Sequence, residues 1–186
     1  MTLKYKVEFL DYWHLSSGLS AGARLDSTVV KDENALPYIP GKTLKGLVRE
    51  MAVLLGDSSL IEKCFGEEGV KSAVCYFSNT RLYENVASEI IEYGLQERLY
   101  DVLASTKIGN EDRFKNGKQI EKKNIAVDNS LREIEVVVPL TLEGSIDNVP
   151  EKYVSDMKKS LKMIKRMGLN RTRGLGRCNI TIVEDV

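Results

Sequence analysis

The sequence predicts an α+β fold, and three observations predict it. Apolar residues alternate with polar ones over Leu3–Phe9 and again over Ile134–Leu142, the period of a strand with one buried face. Apolar residues recur at helical spacing over Leu44–Leu55 and over Val154–Ile164, the stripe of a helix that packs on a sheet. A strand pattern follows each helical stretch, so strand–helix–strand occurs twice along the chain.

Composition sets the outer bounds. A chain of 186 residues is long enough for a real core, and one domain over 1–186 is the expectation, with an insertion at about 83–130. Apolar residues make up 42% and charged residues 29%, which is ordinary for a soluble globular protein. The formal net charge is zero, so a polyanion site must come from local clustering of cations. Cys64, Cys75 and Cys178 are scattered and no CxxC pair occurs. A metal site or disulfide framework is therefore not expected, and reduced, buried thiols in a cytoplasmic protein fit best. Lys4 and Lys6 interrupt the N-terminal apolar residues, unlike a signal peptide, and no apolar run approaches a membrane span.

Taken in order, Leu3, Tyr5, Val7 and Phe9 mark the first strand. Residues 16–36 are rich in small and polar residues and read as loop. Pro37 and Pro40 stop any regular element, and Thr43 is placed to cap the helix that follows. That helix carries Leu44, Leu47, Val48, Met51, Leu54 and Leu55 on its apolar face, and Lys42, Lys45 and Arg49 in its first turns. Cations there oppose the helix dipole, while free N–H groups at a helix start attract anions. Either a bound anion explains them or they point into water.

Val70–Leu82 reads as a strand with a turn at Ser78–Asn79. Asn85–Leu103 is helical in composition, although Gly94 interrupts it. Residues 105–130 are polar and charged, and read as a mobile insertion or projecting hairpin. The alternation at Ile134–Leu142 contains Pro139, which places that strand at an edge or a bulge. Residues 151–167 form the second helix, with Lys158, Lys159, Lys162, Lys165 and Arg166 off its apolar stripe. Cys178, Ile180 and Ile182 mark the last strand. The order matches a ferredoxin-like, RRM-like split βαβ, an antiparallel sheet with both helices on one face and an inserted segment. The aromatic stacking residues usual in RNA-recognition modules are not evident.

Between the second helix and the last strand lies GLNRTRGLGR, residues 168–177. Gly168, Gly174 and Gly176 allow bends and close approach, and Arg171, Arg173 and Arg177 offer planar forks that suit phosphate. Helix–loop–strand reverses the order of a nucleotide-binding P-loop or dinucleotide turn, and neither glycine pattern is present. A nucleic-acid backbone is the better ligand for this loop. The alternative is a helix-ending glycine followed by a solvated basic turn.

Three motifs carry a family resemblance. LPYIPGKTLKGLVRE at 36–50 resembles the proline-glycine-then-helix motif of the CRISPR-associated RAMP superfamily, GLNRTRGLGRCNITI at 168–182 its C-terminal glycine-rich loop and strand, and Phe65-Gly66 with VCYFSNTRL its central motif. RLDSTVVKDENALPYIPGKTLKG at 24–46 is similar to backbone subunits of type III effector complexes. The resemblance implies a ferredoxin-like fold, binding of crRNA and target RNA, other CRISPR effector subunits as partners, and self-association in a filament. It implies that Asp26 cuts target RNA through the RNA's own 2′-hydroxyl with Mg2+ or another divalent cation, as base or metal holder. By itself, Asp26-Ser27 reads as a side-chain-capped turn. The resemblance assigns crRNA contact to Lys42, Thr43, Lys45 and Arg49, and to Arg171, Arg173, Gly174, Gly176 and Arg177 of the loop. It also leaves open a non-cleaving capping subunit, or a precursor-processing endonuclease using His14, the sole histidine. Beside Tyr12 and Trp13, His14 reads better as a structural residue.

Overall fold

A computed structural model describes residues 1–20, 25–66, 72–106, 108–115, 118–126 and 131–183, with 108–126 described by backbone alone. Strand β1 spans Leu3–Phe9, and helix α1 spans Gly41–Leu55. A short helix α2, Ser58–Leu60, runs into a π-helical turn at Ile61–Phe65. Strand β2 is Tyr76–Phe77 and helix α3 is Glu84–Glu92. Strands β3 (Tyr100–Ser105), β4 (Ile108–Lys115), β5 (Lys118–Ala126), β6 (Arg132–Val137) and β7 (Thr141–Asp147) follow. Helix α4, Val154–Met163, and strand β8, Cys178–Val183, close the chain.

The main sheet has the order β2-β7-β1-β8, and every neighbouring pair is antiparallel. With α1 after β1 and α4 after β7, this is the ferredoxin-like split βαβ that the sequence predicts. The alternation of β1 explains the layering. Leu3, Tyr5, Val7 and Phe9 are buried in one core with Leu142, Ile146, Leu44, Val48, Met157 and Leu161, while Lys4 and Glu8 are exposed. Trp13 extends that core by stacking on Phe9, ring centroids 4.3 Å apart. All three cysteines are free and buried, and burial pushes the Cys178 thiol up to about 11. Among the described residues no helix is long and apolar enough to cross a membrane.

Several elements differ from their expected bounds. The run Ile134–Leu142 breaks at Pro139, whose missing N–H cannot extend a ladder. Its first half, β6, pairs with β3 in a separate two-stranded sheet, and its second half belongs to the main sheet as β7. Of the strand expected over Val70–Leu82, Val70 and Lys71 lie outside the described residues, and among the rest only Tyr76–Phe77 is strand, although Arg81 still bridges Glu143 of β7. The helix expected over 85–103 ends at Glu92, before Gly94 takes a left-handed φ of 63°, and Tyr100 onward is strand. Helix α4 ends at Met163, and the backbone is extended at Ile164 (φ −70°, ψ 115°). The segment 105–130 contains a hairpin, β4 paired with β5, with a register shift between Arg113 and Phe114.

Helix α1 begins two residues before Thr43, with Pro40 at its N-cap position. Gly41 packs so closely that an added Cβ would meet the Phe77 carbonyl oxygen. Gly41→Ala should therefore cost about 1–3 kcal/mol by overpacking, although alanine favours helix; urea denaturation checks this. Burial also pushes the Tyr5 phenol, bonded to Thr80 Oγ1 at 2.8 Å, up from 10.0 to about 12. The folded state then holds this proton more tightly than the unfolded state. That contribution is fully present below pH 10 and is lost as pH rises toward about 12. Tyr5→Phe should flatten the alkaline limb of a stability–pH curve.

Candidate RNA-binding and cleavage site

Helices α1 and α4 pack against each other. Tyr153, which precedes α4, donates to Ser59 Oγ just past α1 at 3.1 Å. The helices therefore run in opposite senses, and the first turn of α1 and the last turn of α4 face the same end of their layer. Lys42, Lys45 and Arg49, spaced three and four apart, share one stripe of α1; Lys42 and Arg49 are exposed and Lys45 is half-buried. The first-turn N–H groups are largely taken. Gly41 N–H donates to Asn79 Oδ1 at 2.9 Å, and Thr43 N–H to the Pro40 carbonyl at 2.9 Å. Anion attraction at this end rests on the side chains more than on the helix start.

The glycine-rich loop is fastened by backbone. Met167 N–H donates to the Gly176 carbonyl at 3.0 Å, and Gly176 N–H to the Tyr12 carbonyl at 2.8 Å. Leu169 N–H donates to the His14 carbonyl at 2.9 Å. Gly168 and Gly176 sit at φ of 93° and 69°, and a Cβ on them would meet the carbonyl oxygens of His14 and Met167 respectively. Gly174 has φ of 91° and open space around it. The loop thus approaches the chain closely at both ends and bulges between them. Arg171 and Arg173 are exposed on that bulge. Arg177 is held to Asp11, Nε to Oδ2, at 3.0 Å, so its fork is already engaged. Lys42, Lys45, Arg49, Arg171 and Arg173 make no ion pair among the described residues.

His14 links this loop to Asp26. Its ring is fully buried, with Nδ1 2.6 Å from the Glu135 carbonyl and Nε2 3.1 Å from Ser27 Oγ. A carbonyl only accepts, so Nδ1 carries a proton and, in the neutral ring, Nε2 accepts from the Ser27 hydroxyl. The structural reading of His14 fits this burial. Asp26 does not cap a local turn. Its Oδ2 accepts from Glu133 N–H at 2.8 Å, and its own N–H donates to the Glu133 carbonyl at 2.8 Å. The side chain remains 42% exposed, and its Oδ1 lies 3.5 Å from Arg132 Nη1.

Two anions brace the neighbourhood, Glu135 buried and Asp32 half-buried. Glu135 accepts from Val29 N–H at 2.9 Å and from Lys31 Nζ at 2.7 Å. Asp32 holds a turn through Asn34 and Leu36 N–H groups and pairs with Arg81 at 2.9 Å. Sequence reasoning missed Arg132, Glu135 and Asn79, because each acts on a residue at least 38 positions away and no local spacing marks such pairs.

A divalent cation finds a poor donor set here. Asp26 presents one carboxylate, one oxygen taken by an N–H and the other facing a guanidinium. Among the described residues no group of three or more His, Cys, Asp or Glu could hold a metal ion, whereas oxygen-ligated cations want several such donors.

The family model described as the RAMP superfamily matches residues 6–179. A chain in a cryo-EM structure of type III-B Cmr-beta bound to cognate target RNA is similar in fold, with a TM-score of 0.69, 10% identity, and coverage of 98% of this chain and 97% of that one. A chain in the cryo-EM structure of apo type III-B Cmr-beta gives a TM-score of 0.65, 13% identity, and coverage of 100% and 98%. A search of curated proteins returns no match.

The contrast between glycines is testable. Gly174→Ala should cost only the left-handed backbone term of about 1–2 kcal/mol. Gly176→Ala adds a backbone clash and should cost clearly more, as read by thermal melts of the two variants.

Proposed function

The chain belongs to the RAMP superfamily, and from that premise we propose that it holds CRISPR RNA as a repeating subunit of a type III effector and cuts the paired target RNA. The observation that carries this reading is the His14 tie. It joins the glycine-rich loop, through Leu169, to the Asp26 segment, through Ser27. The likeness in fold to chains of type III-B Cmr-beta supports the same assignment. Lys42, Thr43, Lys45 and Arg49 line one side of the RNA path, and Arg171, Arg173, Gly174 and Gly176 the other. Arg177 serves the loop through Asp11 more than it serves the ligand. Guide pairing reads sequence, while this chain grips phosphate and sets spacing. Its partners are crRNA, target RNA, other effector subunits and further copies of itself in a filament, all in the cytoplasm.

In the cutting step, Asp26 takes the proton from a target 2′-hydroxyl. The 2′-oxygen bonds to phosphorus, the bond to the 5′-oxygen breaks, and that oxygen is protonated from solvent. The products are a cyclic phosphate and a 5′-hydroxyl. A divalent cation, in this proposal, arrives with the RNA phosphates rather than in a cage built by this chain.

One observation favours a second reading, a non-cleaving capping subunit of the same complex. Asp26 already has a structural partner in Glu133 N–H. Copy number by native mass spectrometry separates the two, since a cap occurs once and a backbone subunit several times.

Lys45→Ala with Arg173→Ala should weaken crRNA binding across unrelated guides and flatten the log–log salt slope by roughly 1.4, at about 0.7 per contact. Unchanged affinity would reject this path. In an assembled complex, Asp26→Ala should keep target RNA bound and abolish cutting; continued cutting assigns the chemistry elsewhere.

A further inference from the structure

The geometry points to Arg132 as a second catalytic residue, the fixed positive charge that faces the scissile phosphate beside Asp26. The inference rests on the Asp26 reading above and supplies what that reading lacks. Cleavage through a 2′-hydroxyl builds negative charge on the non-bridging phosphate oxygens. One carboxylate nearby worsens that charge unless a cation stands opposite. The cation expected from resemblance was a metal ion, but the donor set around Asp26 does not suit a resident one. A guanidinium occupies the position instead.

Arg132 is placed for the task by backbone rather than by chance rotamers. It begins β6, where its register partner is Ser105 of β3. The next residue, Glu133, exchanges two main-chain-anchored bonds with Asp26, both 2.8 Å. One residue further, Ser27 bridges Ile134 in parallel, and Glu135 N–H donates to the Ser27 carbonyl at 3.0 Å. Asp26 and Arg132 are thus clamped on adjacent segments, and neither can slide without breaking that ladder. Their own contact is loose, 3.5 Å, and both side chains stay open to solvent, 64% for Arg132 and 42% for Asp26. A pair made for stability would be closer and drier. This one leaves most of the guanidinium donors free for a ligand, with only a weak bond to the Leu131 carbonyl at 3.4 Å.

The division of labour follows from the chemistry. Asp26 accepts the 2′-hydroxyl proton. Arg132, always charged, neither gains nor loses a proton and donates to the phosphate oxygens as the 2′-oxygen bonds to phosphorus. When RNA enters, the phosphate replaces Asp26 as the partner of the guanidinium, which frees Oδ1 to act as base.

The test uses reconstituted complex with labelled target RNA under single-turnover conditions at fixed Mg2+. Arg132→Ala should slow cutting by roughly 100- to 1,000-fold, the usual loss for a transition-state donor, with target affinity within about twofold of the parent and an unchanged melting temperature. Arg132→Lys should recover part of the rate, since charge returns without the planar fork. Arg132→Ala cutting at the parental rate, while Asp26→Ala does not cut, overturns the role of Arg132 and leaves Asp26 standing. A loss of affinity as large as the loss of rate also overturns it, by making Arg132 a binding residue only. Parental cutting by Asp26→Ala removes the underlying reading and this inference with it.

Discussion

The main chain of Tyr12 to His14 is the constraint on which the site depends. Within three residues it accepts from Gly176 and Leu169, pairs Trp13 with Val137, and aims an imidazole at Glu135 and Ser27. The glycine-rich loop, strand β6 and the Asp26 segment therefore share one anchor. The anchor is dry, because Trp13 and His14 are both fully buried, and buried hydrogen bonds are expensive to leave unmade. A polar knot of this kind holds surface loops at fixed separation without asking the loops to be rigid themselves.

Charge is arranged by the same economy. The molecule is neutral overall, yet cations concentrate on α4, the loop after it, and the first turns of α1. Asp156 cancels one of them, Lys159, within α4, and Asp11 cancels Arg177 at the end of the loop. Other acids are used elsewhere: Asp32 fixes a turn and Arg81, and Glu135 fixes Lys31. Lys31 also lies over the Tyr100 ring, 3.8 Å from its centroid. Structural anions thus take structural cations, and a different set of cations is left facing solvent.

Much of the fold was legible because burial has a period. The alternation in Leu3–Phe9 and the stripe in Leu44–Leu55 each report one buried face, and both elements formed where that pattern ran. Residues near breaks were less legible. The alternation across Pro139 is continuous in side-chain pattern, yet the two halves join different sheets, since hydropathy says which face is buried and not against what. The site was legible only where its residues are neighbours in the chain. The arginines of the loop stood out, but the engagement of Arg177 by a residue 166 positions away did not. The same distance effect concealed Arg132 beside Asp26 and Asn79 at the start of α1.

The bridge from Arg81 to Glu143 has one more consequence. The chain leaves the main sheet after Arg81 and returns to it at Thr141, and the bridge sets Arg81 beside Glu143 of β7. Lengthening or trimming the β4–β5 hairpin alone leaves β6 and its clamp on Asp26 in place and costs mainly loop-closure entropy, about 0.6 kcal/mol per doubling. The hairpin of β4 and β5 can therefore be resized over generations as an appendage, each added residue pair extending its reach by about 3.3 Å, while the sheet that carries it stays as it is.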